Sequence, residues 1–177
     1  DPAPGWLTIG TKTIEDRDNL GRIDFATLLL RSSNVGASKV ALALEPRQLW
    51  GELRRFGLGE VSATGFPGES AGVLMEPELW RPIGQATLAY GYGLSVTPLQ
   101  LAHAYAVLGA DGRAAPVSML ALNRPAQLQQ VIEPAVARAV LEMMQPVVSA
   151  EGTAPRAAIP GYRVAGKTGT ARKFTSG

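Results

Sequence analysis

The chain has 177 residues, with 17 Lys plus Arg against 15 Asp plus Glu, a single His, no Cys, and 46% hydrophobic against 18% charged residues. A chain of this length and composition buries a real core without staples, which excludes a disordered, collagenous or disulfide-framed protein. A formal net charge of +2, with the arginines scattered, names no nucleic-acid partner, and the lack of cysteine excludes thiol chemistry and Cys-based metal sites.

The first readable segment, Trp6 to Ile14, is rich in Thr, Ile and Leu and reads as extended or short strand. From Asp24 the pattern becomes helical, with Phe25, Leu28 and Leu29 on one face that continues to Ser32. Asn34 is positioned to cap a second helix from Val35 to Leu44, so Ser32-Ser33-Asn34 falls at a tight helix–helix junction. A third helix is expected over Pro46 to Phe56, closed by Gly57 and Gly59, then a loop at Thr64-Gly65-Phe66-Pro67-Gly68-Glu69 and a helix around Trp80 to Leu88. Thr97, Pro98 and Gln100 spell a capping box for a helix through Leu108 that is apolar nearly all round and is therefore expected to be buried. Its apolar stretch falls far short of the roughly 20 residues that cross a bilayer.

After a turn at Asp111-Gly112, Val117 to Leu122 reads as a strand, and Pro134 opens a helix with Val136, Val140, Met144 and Val147 on one stripe and a kink at Pro146. Residues Tyr162 to Arg172 suit a strand, which places Thr168, Thr170 and Arg172 on one face and Lys167 on the other. Helices and strands without βαβ repetition give an α+β class. The chain opens at Asp1-Pro2-Ala3-Pro4 and stops within Lys173-Phe174-Thr175-Ser176-Gly177, and is expected to be a segment of something longer.

Gly161-Tyr162-Arg163-Val164-Ala165-Gly166-Lys167-Thr168 matches the phosphate-loop pattern letter for letter, but that loop requires a buried strand before it, a helix after it and an acidic strand end for magnesium. None of that context is present, so no nucleotide partner is expected. The same residues carry a second reading: Lys167-Thr168-Gly169-Thr170 on an active-site strand, paired with Ser32-Ser33-Asn34.

In that pairing the sequence resembles the penicillin-binding protein and serine β-lactamase superfamily, whose elements are S-x-x-K, S-x-N and K-[TS]-G. Arg31 to Gly36, Gly65 to Glu69, Tyr90 to Gln100 and Ala165 to Arg172 occur in family order and are similar to class B penicillin-binding proteins of the division-specific transpeptidase type. No serine here is followed three residues later by lysine; the resemblance places that motif upstream of residue 1, and further strands and a closing helix beyond residue 177. It implies a penicillin-binding/β-lactamase-like fold, helices packed on an antiparallel sheet, of which residues 1–177 form part of one transpeptidase domain, inactive alone.

The resemblance also implies roles. Ser32 would bridge Lys167 and the absent catalytic lysine and relay a proton toward the leaving amine; Asn34 would orient substrate and lysine; Lys167 would supply positive potential. Ser33, Thr168, Gly169, Thr170 and Arg172 would bind substrate, Thr168 and Thr170 taking its terminal carboxylate with Arg172 nearby, and the Thr170 N–H forming half of an oxyanion hole. Stem peptides of peptidoglycan, β-lactams and membrane proteins of the division machinery are the implied partners, and the periplasmic face of the bacterial inner membrane, reached through an N-terminal anchor helix, the implied location. No cofactor or metal is expected, since no His, Asp or Glu cluster has ligand spacing. A non-catalytic relative that binds cell-wall peptide or division partners, and a hydrolase with a deacylation base, stay open. Tyr90 and Tyr92 are read as packing around a Gly-rich turn, and His103 as a hydrogen-bonded core residue.

Overall fold

A computed structural model describes residues 1–121 and 123–169. The chain divides into two compact units, one formed by Asp1–Leu44, Trp80–Gly93 and the residues from Met143 on, the other by Glu45–Leu79 and Leu94–Glu142.

In the first unit, β1 (Trp6–Ile9) and β2 (Lys12–Glu15) pair as an antiparallel hairpin, with Leu7 opposite Ile14 and Thr8 opposite Thr13. Period-two alternation turns Leu7, Ile9 and Ile14 to one face, where they pack with Val35 and Ala86. Helix α1 (Phe25–Arg31) starts at Asp24, whose carboxylate accepts from the Thr27 N–H at 2.8 Å and is held below the usual carboxylate range by that bond. It stops at Ser32, which adopts the left-handed conformation at φ 55° and ψ 47°.

Helix α2 (Asn34–Leu42) begins two residues later. Its cap is Ser33 rather than the expected Asn34, because the Ser33 hydroxyl, one residue outside the helix, reaches the Gly36 N–H at 2.8 Å, while Asn34 already belongs to the first turn. Gly36 fits closely there: a Cβ would stand 2.9 Å from the Ser33 Oγ and 3.0 Å from the Leu28 side chain, pressing on the cap. Helix α4 (Pro82–Leu88) packs on α2, with Ser38 Oγ donating to the Ala86 carbonyl and the buried Gln85 side chain donating to the carbonyls of Ala41 and Leu44 at 2.8 Å each. It starts later than the expected Trp80 because a residue before proline is pushed out of helical geometry, and Arg81 is extended at ψ 156°. Tyr90 and Tyr92 then meet edge to face at 5.7 Å, with Tyr90 packed against the core.

In the second unit, α3 (Pro46–Arg55) places proline where no N–H is needed. Strands β3 (Val73–Leu74) and β4 (Leu94–Ser95) pair antiparallel and lead into α5 (Pro98–Gly109), whose capping box is complete: Thr97 Oγ1 accepts from Gln100 N, and the Gln100 side chain accepts from Thr97 N. The expected burial of α5 does not hold. Gln100 and Val107 are buried, but Leu99, Leu101 and Tyr105 are exposed, because an all-round apolar helix needs cover on every side and α5 packs against the short strand Arg113–Ala114 along one. His103 is half-buried and hydrogen-bonds the Ala115 carbonyl through Nε2.

The strand expected over Val117 to Leu122 is absent from the described part of that span; Leu122 lies outside the described residues. The ladder is instead β5 (Arg113–Ala114) with β6 (Gln129–Gln130). Ser118 bonds locally, its hydroxyl donating to the Leu120 carbonyl and accepting from the Leu120 N–H, which offers the backbone a turn in place of a ladder. Helix α6 (Pro134–Met144) buries Ala137 and Met144 but exposes Val136, and Pro146 opens a 3-10 turn in which Val147 and Val148 are both buried. The tighter turn shifts the buried face off the expected stripe.

The strand expected from Tyr162 is likewise absent through Gly169. A strand is a pairing, and no described strand runs beside this segment; its Gly166 N–H is tied to the Met144 carbonyl at 3.3 Å instead. The pairings among the described residues are three two-stranded antiparallel ladders, so the α+β class holds with small sheets. No helix among the described residues is long and apolar enough to cross a membrane.

Candidate active site

Two loops of the first unit carry the site. Ser32 is the first of the two residues between α1 and α2, and its N–H is bound by the carbonyls of Leu28 and Leu29. A non-glycine residue at positive φ is costly and persists where its surroundings hold it, a feature that gathers at functional sites. Lys167 arrives on the segment that leaves the Met144 carbonyl, and its Nζ donates to Ser32 Oγ at 2.6 Å. The same ammonium reaches the Thr168 carbonyl at 3.0 Å and Thr168 Oγ1 at 3.4 Å. Burial lowers the Lys167 pKa from its ordinary value, since desolvation disfavours the charged form.

The hydroxyl array continues. Thr168 Oγ1 lies 3.1 Å from Thr153 Oγ1, so Ser32, Lys167, Thr168 and Thr153 form one connected polar row. Thr153 is set by a turn that admits only glycine before it: a Cβ on Gly152 would stand 2.2 Å from the Val147 carbonyl oxygen. Beside the row opens a cleft of about 260 Å³ lined by Asp16, Arg31, Ser32, Asn34 and Thr153 among others. The Asn34 carboxamide makes no hydrogen bond among the described residues, so it is available at that cleft.

The site residues expected from sequence therefore divide. Ser32, Asn34, Lys167 and Thr168 gather at this row and cleft. Lys167 and Thr168 do not point apart as strand alternation required, because no strand forms. Ser33 is 3% exposed and faces the turn instead of the cleft: its hydroxyl donates to Asp16 Oδ2 and accepts from the Gly36 N–H, which engages its one proton in the fold. Gly169 is exposed with open space around it. Thr170 and Arg172 lie outside the described residues. Two residues were missed. Thr153 follows a glycine in a short turn, a weak signal, and Asp16 has no local signal, as its partners lie 17 and 19 residues away. No group of His, Asp or Glu among the described residues could hold a metal ion.

Residues 3–177 match the penicillin binding protein transpeptidase domain. The chain belongs to this family. Within it, the chain is 43% identical over 171 residues to the probable peptidoglycan D,D-transpeptidase PbpC of Pseudomonas aeruginosa, covering 97% of the chain and 30% of the relative. It is 41% identical over 160 residues to the peptidoglycan D,D-transpeptidase FtsI of Escherichia coli K12, covering 90% of the chain and 27% of the relative. The apo structure of the transpeptidase domain of Burkholderia pseudomallei penicillin-binding protein 3 superposes with a TM-score of 0.91 at 42% identity, covering 96% of this chain and 52% of that one. This member of the penicillin-binding transpeptidase family thus has the penicillin-binding/β-lactamase-like fold and spans less than a third of those two curated relatives.

Proposed function

We propose that these residues are one part of a peptidoglycan D,D-transpeptidase domain, the part that carries the second and third motifs of its active site. In the parent protein, a serine outside this chain, its proton taken by a lysine also outside it, attacks a stem-peptide carbonyl; the acyl-serine forms as the peptide C–N bond breaks and the amine leaves with a proton. Ser32 relays a proton between that lysine, Lys167 and the departing amine; Asn34 orients the substrate amide; Thr168 and Thr170, with Arg172, take the terminal carboxylate. The oxyanion is held in part by the Thr170 N–H, and loss of one such donor costs on the order of 3 kcal/mol in the barrier. The same groups receive β-lactams as substrate mimics.

One observation carries the reading: Lys167 Nζ donates to Ser32 Oγ at 2.6 Å across 135 residues of chain. A hydroxyl that accepts from an ammonium keeps its own proton to donate, which is what a relay requires. By its likeness to FtsI, the parent works in the bacterial envelope, at the periplasmic face of the inner membrane, anchored by a helix outside this chain and in contact with membrane proteins of the division machinery.

The test is labelling by fluorescent penicillin of the 177-residue chain beside the longer parent, with excess unlabelled β-lactam as control. The parent labels and the chain alone does not. A parent that fails to label makes the protein a non-catalytic relative; a chain that labels alone contains its own nucleophile and refutes the motif assignment.

A further inference from the structure

Ser32 and Asn34 stand on either side of Ser33, whose backbone and hydroxyl are hydrogen-bonded into the fold, and the group that fixes that hydroxyl comes from elsewhere in the chain. Asp16 ends the β1–β2 hairpin, where its N–H is bound by the Gly5 carbonyl at 2.9 Å. One carboxylate oxygen accepts from Ser33 Oγ and the other from the Val35 N–H at 3.0 Å. Val35 is fully buried, so its N–H has no water to turn to. Ser33 can accept from Gly36 in a defined direction because its single proton is already committed to Asp16. A carboxylate also suits the positive end of α2.

We propose that Asp16 is the positioning residue of this site: a bidentate clamp that locks the first turn of α2, and with it the Ser32 hinge and the Asn34 carboxamide. It rests on the transpeptidase reading. The clamp explains how a serine is kept at φ 55° beside Lys167 without glycine. On one side the end of α1 holds Ser32 and Ser33 through the carbonyls of Leu28 and Leu29. On the other, Asp16 ties the start of α2 to a hairpin whose Ile14 is rooted in the core. Asp16 itself touches no reacting atom in this assignment; it acts through the turn.

The experiment uses the longer parent protein, with Asp16→Ala, Asp16→Asn, Ser33→Ala and the Asp16→Ala/Ser33→Ala double variant. Rapid-mixing kinetics with a β-lactam separate non-covalent affinity from the first-order acylation rate, and thermal melting reports the fold. Asp16→Ala slows acylation about 10- to 100-fold while affinity changes by less than about threefold, the pattern of lost orientation rather than lost binding. Asp16→Asn, which keeps an acceptor for Val35, recovers part of the rate, and the double variant is no slower than the worse single one because both break one clamp.

Acylation at the wild-type rate in Asp16→Ala overturns the assignment, as does a rate that falls only in proportion to the folded fraction. Should Asp16→Ala fail to fold, Asp16→Asn and Ser33→Ala decide: slowed acylation at unchanged melting supports the clamp, and unchanged acylation refutes it. A wild-type parent that does not label fails on the transpeptidase reading; one that labels beside variants that label as fast refutes the Asp16 clamp alone.

Discussion

Lys167 hands a hydrogen bond to Ser32 at 2.6 Å from a half-buried position in which its own charge is disfavoured. The lowered pKa means that Lys167 loses its proton at a lower pH than the ordinary 10.5 of a lysine. If its charge supports acylation, the rate falls as pH rises, with a midpoint below 10.5. Lys167→Arg, charged throughout, removes that limb from the profile, and a limb that stays in place assigns it to another group. Stability runs the opposite way: between the depressed value and 10.5 the unfolded chain binds more protons, so the folded state gains as pH rises. Ser32→Ala, which removes the hydroxyl of the proposed relay, slows acylation by about 100-fold or more in stopped-flow traces.

Thr153 places its hydroxyl 3.1 Å from that of Thr168 and lines the cleft beside Ser32. Thr153→Val keeps the shape and removes the hydroxyl, and the expected cost is one hydrogen bond, about 1 kcal/mol or roughly fivefold in β-lactam affinity of the parent. Thr153→Ser keeps the hydroxyl and should bind as the wild type does. Gly152→Ala drives a Cβ into the Val147 carbonyl and should lower the melting temperature as well. Equal affinity in Thr153→Val and wild type would place Thr153 outside the binding row.

How far these features could be read in advance depends on where their information lies. The capping box at Thr97 and Gln100 and the helix starts at Asp24 and Pro46 are local, and each formed where its residues stand; the extended segment at Trp6 to Ile14 formed too, but folded back on itself as two paired strands. The Ser32–Lys167 meeting was legible through motif co-occurrence alone, since nothing local links positions so far apart. What failed was pairing. Val117 to Ala121 and Tyr162 to Gly169 have strand composition, but a strand needs a neighbour, and no neighbour is written into the segment. Burial of α5 failed similarly: apolar composition states a need for cover, and Leu101 at 48% exposed lacks it. The bond from Ser33 to Asp16 has no local signal either, since Asp16 sits on another element.

Glu69 closes the Thr64–Glu69 loop by accepting from the Thr64 hydroxyl and from the Phe66 N–H at 3.2 Å, and the Thr64 bond holds its carboxyl below the usual range. A depressed carboxyl contributes stability above its unfolded value of 4.5, and that contribution is lost as pH falls through the folded value. The Phe66 amide resonance should therefore titrate with a midpoint below 4.5, and Glu69→Gln should abolish the titration. A midpoint at or above 4.5 would contradict the loop closure.

Gln100 tests the opposite case, a polar residue with structure as its whole task. It is 2% exposed, its Nε2 donates to the carbonyls of Glu60 and Ala71, and its Oε1 accepts from Thr97 N at 2.7 Å. Gln100→Leu fills nearly the same volume but strands two carbonyls and one N–H, at a cost of about 1–3 kcal/mol for each group left buried without a partner. The parent should melt at a markedly lower temperature, while β-lactam acylation per folded molecule stays unchanged, because no part of the Ser32–Lys167 row depends on Gln100. Acylation that falls without a change in melting would mean that Gln100 acts on the active site and not on the fold.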